Sequence, residues 1–114
     1  MRVVLQRVLR AAVSVEGEIL GEIDAGFVAL VGIDQDDGEA QVDLVAAKVM
    51  GLRVFDDVEG KFNLALADVA GAVLVVSQFT LIADLRKGRR PGFTRAAHPE
   101  LAAPLVQRFA DQLR

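Results

Sequence analysis

The chain contains no cysteine, no tryptophan, no tyrosine and a single histidine, His98. The lack of cysteine excludes disulfides, thiolate nucleophiles and cysteine-based zinc sites, and it is typical of a reducing compartment. One histidine cannot build a multi-histidine metal site, and Walker A and dinucleotide-binding glycine motifs are also missing. We therefore expect neither a metal ion nor a cofactor, and no exposed aromatic platform for base stacking.

Long hydrophobic segments are also missing. An apolar run such as Ala72–Val76 is far too short to span a bilayer, and the first seven residues lack the apolar core of a signal peptide. We therefore predict a cytoplasmic protein that has no membrane partner.

What is present fits one α/β-type domain over residues 1–114, with a core of valine, leucine, isoleucine and alanine and six phenylalanines. Hydrophobic patterning predicts a long or broken strand over 2–15, and further strands over 19–23, 26–33, 52–55, 61–66 and 72–76. Because the 72–76 run does not alternate, we expect it to be covered on both faces, at the centre of the core.

Two helices are predicted. Val42, Val45, Ala46 and Val49 recur at helical spacing within a helix over 39–50 that Gly51 ends. A last helix has Pro99 in its first turn and an apolar stripe formed by Leu101, Leu105, Phe109 and Leu113. Since Pro104 cannot donate a backbone hydrogen bond, this helix either kinks near Ala103 or begins at Pro104.

Charge is distributed unevenly. Residues 16–43 carry nine acidic and no basic side chains, whereas residues 84–95 carry five basic side chains and Asp84. The basic residues are Arg86, Lys87, Arg89, Arg90 and Arg95. This segment is either an ordinary solvated loop or a mobile basic loop that follows a phosphate backbone.

The candidate active site is Ser77-Gln78-Phe79-Thr80, where an apolar strand ends and two hydroxyls and a carboxamide follow. A serine or threonine nucleophile normally needs a neighbouring base. His98 lies beyond the basic loop, so a Ser-His-Asp triad has little support. We interpret His98 as the first residue of the last helix, without a catalytic part.

Several segments resemble, in order and spacing, the D-aminoacyl-tRNA deacylase family. They are Leu5-Gln6-Arg7-Val8, Val13–Glu18, Gly21-Glu22-Ile23, Phe62-Asn63-Leu64, Val75–Leu81 and Arg90-Pro91-Gly92-Phe93. The resemblance implies a fold of mixed, largely antiparallel β-sheets, in barrel-like layers covered by two helices. It also implies a homodimer that hydrolyses D-aminoacyl-tRNA at its 3′ end, which is chiral proofreading in translation.

The resemblance also implies residue roles. Ser77, Gln78, Phe79 and Thr80 line the pocket for the terminal adenosine and the aminoacyl group. The catalytic group is either Thr80, as a nucleophile, or the ribose hydroxyl of the tRNA with a water. The second view is favoured because Thr80 has no evident base, while amides around Phe79 and Thr80 could bind an oxyanion. The Phe79 side chain itself is expected to pack in the core.

Further residues are expected to bind substrate: Arg86, Lys87, Arg89, Arg90, Pro91 and Phe93. Arg7 is either an edge residue whose stem lies on apolar surface or, as the resemblance implies, a group that orients the chirality-selecting element.

The sequence departs from the family pattern at one point. The family has a C-terminal strand with a Gly-Pro dipeptide that excludes L-amino acids, and none of Pro91, Pro99 and Pro104 follows a glycine. We expect a shortened deacylase. The alternatives are a catalytically silent tRNA-binding or dimerisation module, and an editing domain resembling that of archaeal threonyl-tRNA synthetases, which releases L-serine.

Overall fold

The computed structural model describes all residues from Met1 to Arg114. The chain forms seven strands, two α-helices and two short 3-10 turns, at Leu66–Val69 and Phe79–Leu81. The strands and helices are β1 (Arg2–Val8), β2 (Ala11–Val15), β3 (Glu18–Ile23), β4 (Gly26–Gly32), α1 (Glu39–Gly51), β5 (Phe55–Asp56), β6 (Phe62–Leu64), β7 (Ala72–Ser77) and α2 (Pro99–Gln112). The predicted strand over 2–15 is thus broken into two.

The strands make three small sheets. β4 lies between β1 and β7, pairing antiparallel with β1 and parallel with β7. β2 and β3 form one antiparallel hairpin, and β5 and β6 form another. The predicted mixed, largely antiparallel architecture with two helices is confirmed.

The prediction that residues 72–76 form the centre of the core was wrong. β4 holds that place, with Phe27, Ala29 and Val31 almost fully buried. β7 is the edge strand of its sheet and is only half-buried. Both segments are apolar runs, and only the pairing order distinguishes the strand that has neighbours on two sides from the strand that has one.

β4 and β7 approach each other closely at one end. Gly26 has φ +152°, and a Cβ built on it would lie 1.8 Å from the carbonyl oxygen of Ala72. Only glycine accepts both the dihedral angle and the close backbone. The parallel pairing that delivers Ser77 to its position therefore begins at a glycine.

The two helices pack on the sheet and on each other. Val42, Ala46 and Val49 of α1 and Leu105 and Phe109 of α2 join the core. Arg108 of α2 donates two hydrogen bonds of 2.8 Å to the two carboxylate oxygens of Asp43 in α1. These hydrogen bonds lower the pKa of Asp43. Neither helix has the length and apolar composition needed to cross a bilayer.

α2 begins at Pro99 and continues through Pro104, which excludes the alternative of a start at Pro104. His98 is its N-cap residue, as predicted, and its carbonyl accepts hydrogen bonds from the amides of Leu101 and Ala102. Pro104 lies early in the helix, and both Pro104 and Glu100, whose carbonyl loses a donor, are exposed. Water can hydrogen-bond that carbonyl, which keeps the disruption small.

Candidate active site

The segment Ser77–Thr80 begins where β7 leaves the sheet. Ser77 is the last residue of β7 and lies opposite Val31 of β4. The amide of Gln78 then donates to the Val31 carbonyl at 2.7 Å, and the amide of Ile82 donates to the Phe79 carbonyl at 3.0 Å. These bonds turn the chain sharply, so the predicted exit from the sheet is confirmed.

An apolar cleft of about 620 Å³ lies beside this segment. Ser77 and Phe79 form one wall, Phe93 lies next to Phe79, and Ala102 and Val106 of α2 form the opposite side. The rings of Phe79 and Phe93 meet edge to face, with centroids 5.5 Å apart and planes at 74°. The cleft therefore joins two segments that the sequence separates by a loop.

Only part of the Ser77–Thr80 segment lines the cleft. Ser77 and Phe79 do, whereas Gln78 and Thr80 do not and are hydrogen-bonded to each other, Gln78 Nε2 donating to Thr80 Oγ1. The Thr80 hydroxyl therefore contacts a carboxamide, which cannot act as a base. The amides of Phe79 and Thr80 donate none of the bonds that close the turn, which come from Gln78, Leu81 and Ile82.

The expectation that the side chain of Phe79 packs in the core was wrong. The residue is 57% exposed and is absent from the buried cluster. Its position directly after the sheet turns the ring outward towards Phe93. Phe79 is thus a surface ring on the wall of the cleft.

The basic segment forms a closed loop near the cleft. The amide and carbonyl of Asp84 pair with those of Gly92 at 2.7 and 2.8 Å, which joins the two ends of the loop. The Arg86 guanidinium donates to both carboxylate oxygens of Asp84, at 3.0 and 2.8 Å. This pairing, together with the Arg86 amide, holds the pKa of Asp84 far below its usual value.

The five basic residues of the loop fall into two groups. Arg86 is paired with Asp84, and Arg95 is paired with Asp34 at 2.9 Å and with Asp36. The pKa of Asp34 is lowered, first by the backbone amide of Asp36 and then by Arg95. The remaining basic residues are exposed and make no ion pair: Lys87, Arg89 and Arg90. Pro91 is exposed in the same loop and does not line the cleft.

Arg7 lies away from this cleft within one chain. Its guanidinium donates to the Val54 carbonyl at 2.8 Å and to Asp56 at 3.2 Å, and lies 5.2 Å from the centroid of the Phe62 ring. Arg7 pairs with Phe27, four residues along β4 from the partner of Ser77, which corresponds to about 13 Å. The structure therefore does not bring Arg7 and Ser77–Thr80 together in a single chain.

The whole arrangement has counterparts among known proteins. A family model described as D-Tyr-tRNA(Tyr) deacylase matches residues 4–114. The chain belongs to this family. Relatives named D-aminoacyl-tRNA deacylase are 56% identical in Symbiobacterium thermophilum and 59% identical in Chloroflexus aurantiacus, each over 114 residues. These alignments cover the whole chain and 76% and 71% of the two relatives.

Two solved structures share the fold. One, described as a c-Myc DNA unwinding element binding protein, has a TM-score of 0.93 and 38% identity, with 100% of this chain and 76% of that one covered. The other, described as a probable eukaryotic D-amino acid tRNA deacylase, has a TM-score of 0.83 at 17% identity, covering 98% and 66%. The second similarity concerns the fold alone.

Sequence reasoning missed the part of the site that α2 supplies. His98, Pro99, Ala102 and Val106 all line the cleft beside Ser77. Ala102 and Val106 are four residues apart, next to the predicted apolar stripe, so they share a helix face. The available signal in the sequence was that Ala102 and Val106 lie beside the apolar stripe, but such residues are equally typical of helix packing.

Proposed function

We propose that this chain hydrolyses the ester that joins a D-amino acid to the 3′-terminal ribose of tRNA. Water adds to the ester carbonyl, the bond from the carbonyl carbon to the ribose oxygen breaks, and free tRNA and the D-amino acid leave. The observation that carries the proposal is the coincidence of a family match over residues 4–114 with a cleft that has Ser77 and Phe79 in its wall.

The cleft suits this substrate in size and character. Its volume of about 620 Å³ lies within the range of small-molecule sites and can accommodate a nucleoside that carries an amino acid. Its walls are mainly apolar, formed by rings and small side chains such as Phe79, Phe93 and Ala102. A mostly apolar cleft with a few polar groups at one edge is the usual form of such sites.

For the chemistry, we assign the main role to backbone amides. The amides of Phe79 and Thr80 are not used to close the turn, so they are available to stabilise the negative charge that develops on the carbonyl oxygen. Thr80 is a poor nucleophile here, since its hydroxyl contacts Gln78 and no base. The tRNA's own 2′-hydroxyl is then the group that orients the attacking water.

The loop over 84–92 is proposed to hold the phosphates of the acceptor end. Lys87, Arg89 and Arg90 are exposed and free of carboxylate partners, so they can exchange counterions for phosphate oxygens. Arg86 has a different part in this scheme, because its charge is balanced by Asp84 and its bonds shape the loop. Such contacts position the tRNA without reading its sequence.

We also infer that the chain works as a homodimer in the cytoplasm, where tRNA is used. Large apolar side chains are exposed on the first three strands, and a second copy could cover them. They are Val4, Val15, Ile19 and Leu20. Sedimentation equilibrium at micromolar concentration tests this, and a monomer would contradict it.

One alternative has a specific observation behind it. The solved relative of 38% identity is described as a DNA-binding protein, which favours a nucleic-acid-binding module that performs no chemistry. Such a module would bind tRNA or duplex DNA and leave the ester intact. The editing alternative, release of L-serine, is tested with L-Ser-tRNA in the same assay.

The experiment that tests the proposed mechanism compares D-Tyr-tRNA that ends in ordinary adenosine with D-Tyr-tRNA that ends in 2′-deoxyadenosine. If the 2′-hydroxyl orients the water, the deoxy substrate should bind with similar affinity and react at least about a hundredfold more slowly. Equal rates on the two substrates would reject this role of the tRNA. Binding without turnover of the ordinary substrate would reject the hydrolase altogether.

A further inference from the structure

A guanidinium outside the cleft holds the turn that follows Ser77. Arg2, the first residue of β1, donates from its Nη1 nitrogen to the carbonyl oxygen of Leu81 at 2.8 Å. Leu81 is the last residue of the 3-10 turn that contains Phe79 and Thr80. Arg2 makes no ion pair, and its only side-chain hydrogen bond is to this carbonyl.

β4, the strand that pairs with β1, also contacts this turn. Arg2 lies directly opposite Gly32 in the pairing of β1 with β4. A Cβ on Gly32 would lie 3.0 Å from Leu81 Cβ and 3.1 Å from the Gln78 carbonyl oxygen. The turn therefore rests on the backbone of Gly32 at van der Waals distance.

A third contact joins the turn to β4: the Gln78 amide donates a hydrogen bond to the Val31 carbonyl at 2.7 Å. The Val31 carbonyl thus binds the start of the turn, the Gly32 backbone packs against it, and the Arg2 guanidinium binds its last residue. Of the two hydrogen bonds that join the turn to β1 and β4, the Arg2 bond is the one made by a side chain. It can be removed without altering the sheet.

We propose that Arg2 is a positioning residue for the reaction, which fixes the orientation of the Phe79 and Thr80 amides through the Leu81 carbonyl. This inference rests on the proposed function for its catalytic consequence. Arg2 does not line the cleft, and it lies beside Asp84 and Arg86 at the start of the basic loop. Because its guanidinium is bonded to the Leu81 carbonyl, we expect its loss to act on the rate of the chemical step, and a change in KM separates this role from a phosphate contact. Preorganised amides stabilise a transition state only if their direction is fixed before the reaction.

The test uses the full chain and three variants. Arg2→Met keeps the apolar stem and removes every donor, and Arg2→Lys restores a charged donor. Arg53→Met is the matched control, because Arg53 also donates from its guanidinium to a backbone carbonyl, that of Asn63 at 2.8 Å, in the hairpin away from the cleft. For Arg2→Met we expect kcat to fall about tenfold with KM and Tm nearly unchanged. Arg2→Lys should recover part of the rate, and Arg53→Met should keep all of it.

Hydrogen exchange separates this proposal from the proposed function. In Arg2→Met the amides of Leu81 and Ile82, which close the turn, should exchange about tenfold faster, while those in β4 stay as in the parent chain. Unchanged exchange at Leu81 and Ile82 would overturn the positioning role, whatever the turnover. A rise in KM with kcat unchanged would overturn it too. If the parent chain does not hydrolyse D-Tyr-tRNA, the proposed function fails while exchange still decides whether Arg2 holds the turn.

Discussion

The ring of Phe79 meets the ring of Phe93 edge to face, 5.5 Å between centroids. Phe79 follows the sheet directly, and Phe93 follows the basic loop that Asp84 and Gly92 close. One aromatic contact thus links the turn with the candidate catalytic amides to the loop with the candidate phosphate ligands. The cleft and the basic loop are therefore parts of one continuous surface.

Phe79, which is exposed, and Phe109, which is buried in the core, give a first prediction. Phe79→Ala should raise KM about tenfold, because the cleft loses a wall, and should change the free energy of unfolding by less than about 1 kcal/mol. Phe109→Ala should lower the free energy of unfolding by about 3–5 kcal/mol, because Phe109 is fully buried. Urea denaturation and steady-state kinetics measure both. A large stability loss in Phe79→Ala would show that its ring is a core group.

Thr80 distinguishes the two views of the chemistry. Thr80→Val and Thr80→Ala should retain turnover within about tenfold of the parent chain, because the hydroxyl contacts only Gln78 and no base. Single-turnover kinetics on D-Tyr-tRNA provide the measurement. A loss of several orders of magnitude in both variants would identify Thr80 as the nucleophile.

Salt dependence separates the free cations from the paired ones. Lys87→Gln and Arg89→Gln should each reduce the slope of log K against log salt for tRNA binding by about 1. Arg86→Gln should change the slope much less, since Arg86 is bound to Asp84. Titrations at several potassium chloride concentrations measure the slopes. Equal slopes for all three variants would contradict the division of the loop into free and paired cations.

Acid should weaken the contact between the helices. The pKa of Asp43 lies below its ordinary value of 3.8 in the folded chain, because Arg108 donates hydrogen bonds to it. The stabilisation is complete above about pH 4 and is lost as the pH falls through the lowered pKa. Asp43→Asn should therefore show a shallower loss of stability below pH 4 than the parent chain.

The control for that measurement is Glu22→Gln, an exposed strand residue without an ion pair, which should keep the parent slope. Thermal unfolding between pH 2.5 and 7 supplies the data. A parent-like slope in Asp43→Asn would show that the ion pair with Arg108 contributes nothing to acid sensitivity.

Local sequence patterning predicted which segments form helices and strands, but it did not predict the order of the strands within the sheets. α1 followed from valines and alanines at helical spacing, whereas residues 2–15 were predicted as one long or broken strand and no turn residue marked the break between β1 and β2. The sequence could not tell which apolar run is central, because β4 and β7 have similar compositions and differ only in how many strands they pair with. Pro104 was also overestimated as a helix breaker, since water can reach the carbonyl left without a donor.

The site was predicted in part. The position of Ser77–Thr80 at a strand end followed from the sequence, because polar residues directly after an apolar strand lie at a sheet edge. The outward side chain of Phe79, the pairing of Arg86 with Asp84 and the contribution of Ala102 and Val106 did not follow. Each of these depends on contacts between segments that lie apart in the chain or on the direction of one turn, and no periodicity specifies them.

The most direct test of the central claim is release of tyrosine from D-Tyr-tRNA and from L-Tyr-tRNA by this 114-residue chain, at low and at high salt. We predict turnover of the D-substrate that exceeds turnover of the L-substrate and falls as salt rises. Release of neither amino acid, with tRNA still bound, would contradict the account and identify a nucleic-acid-binding module instead.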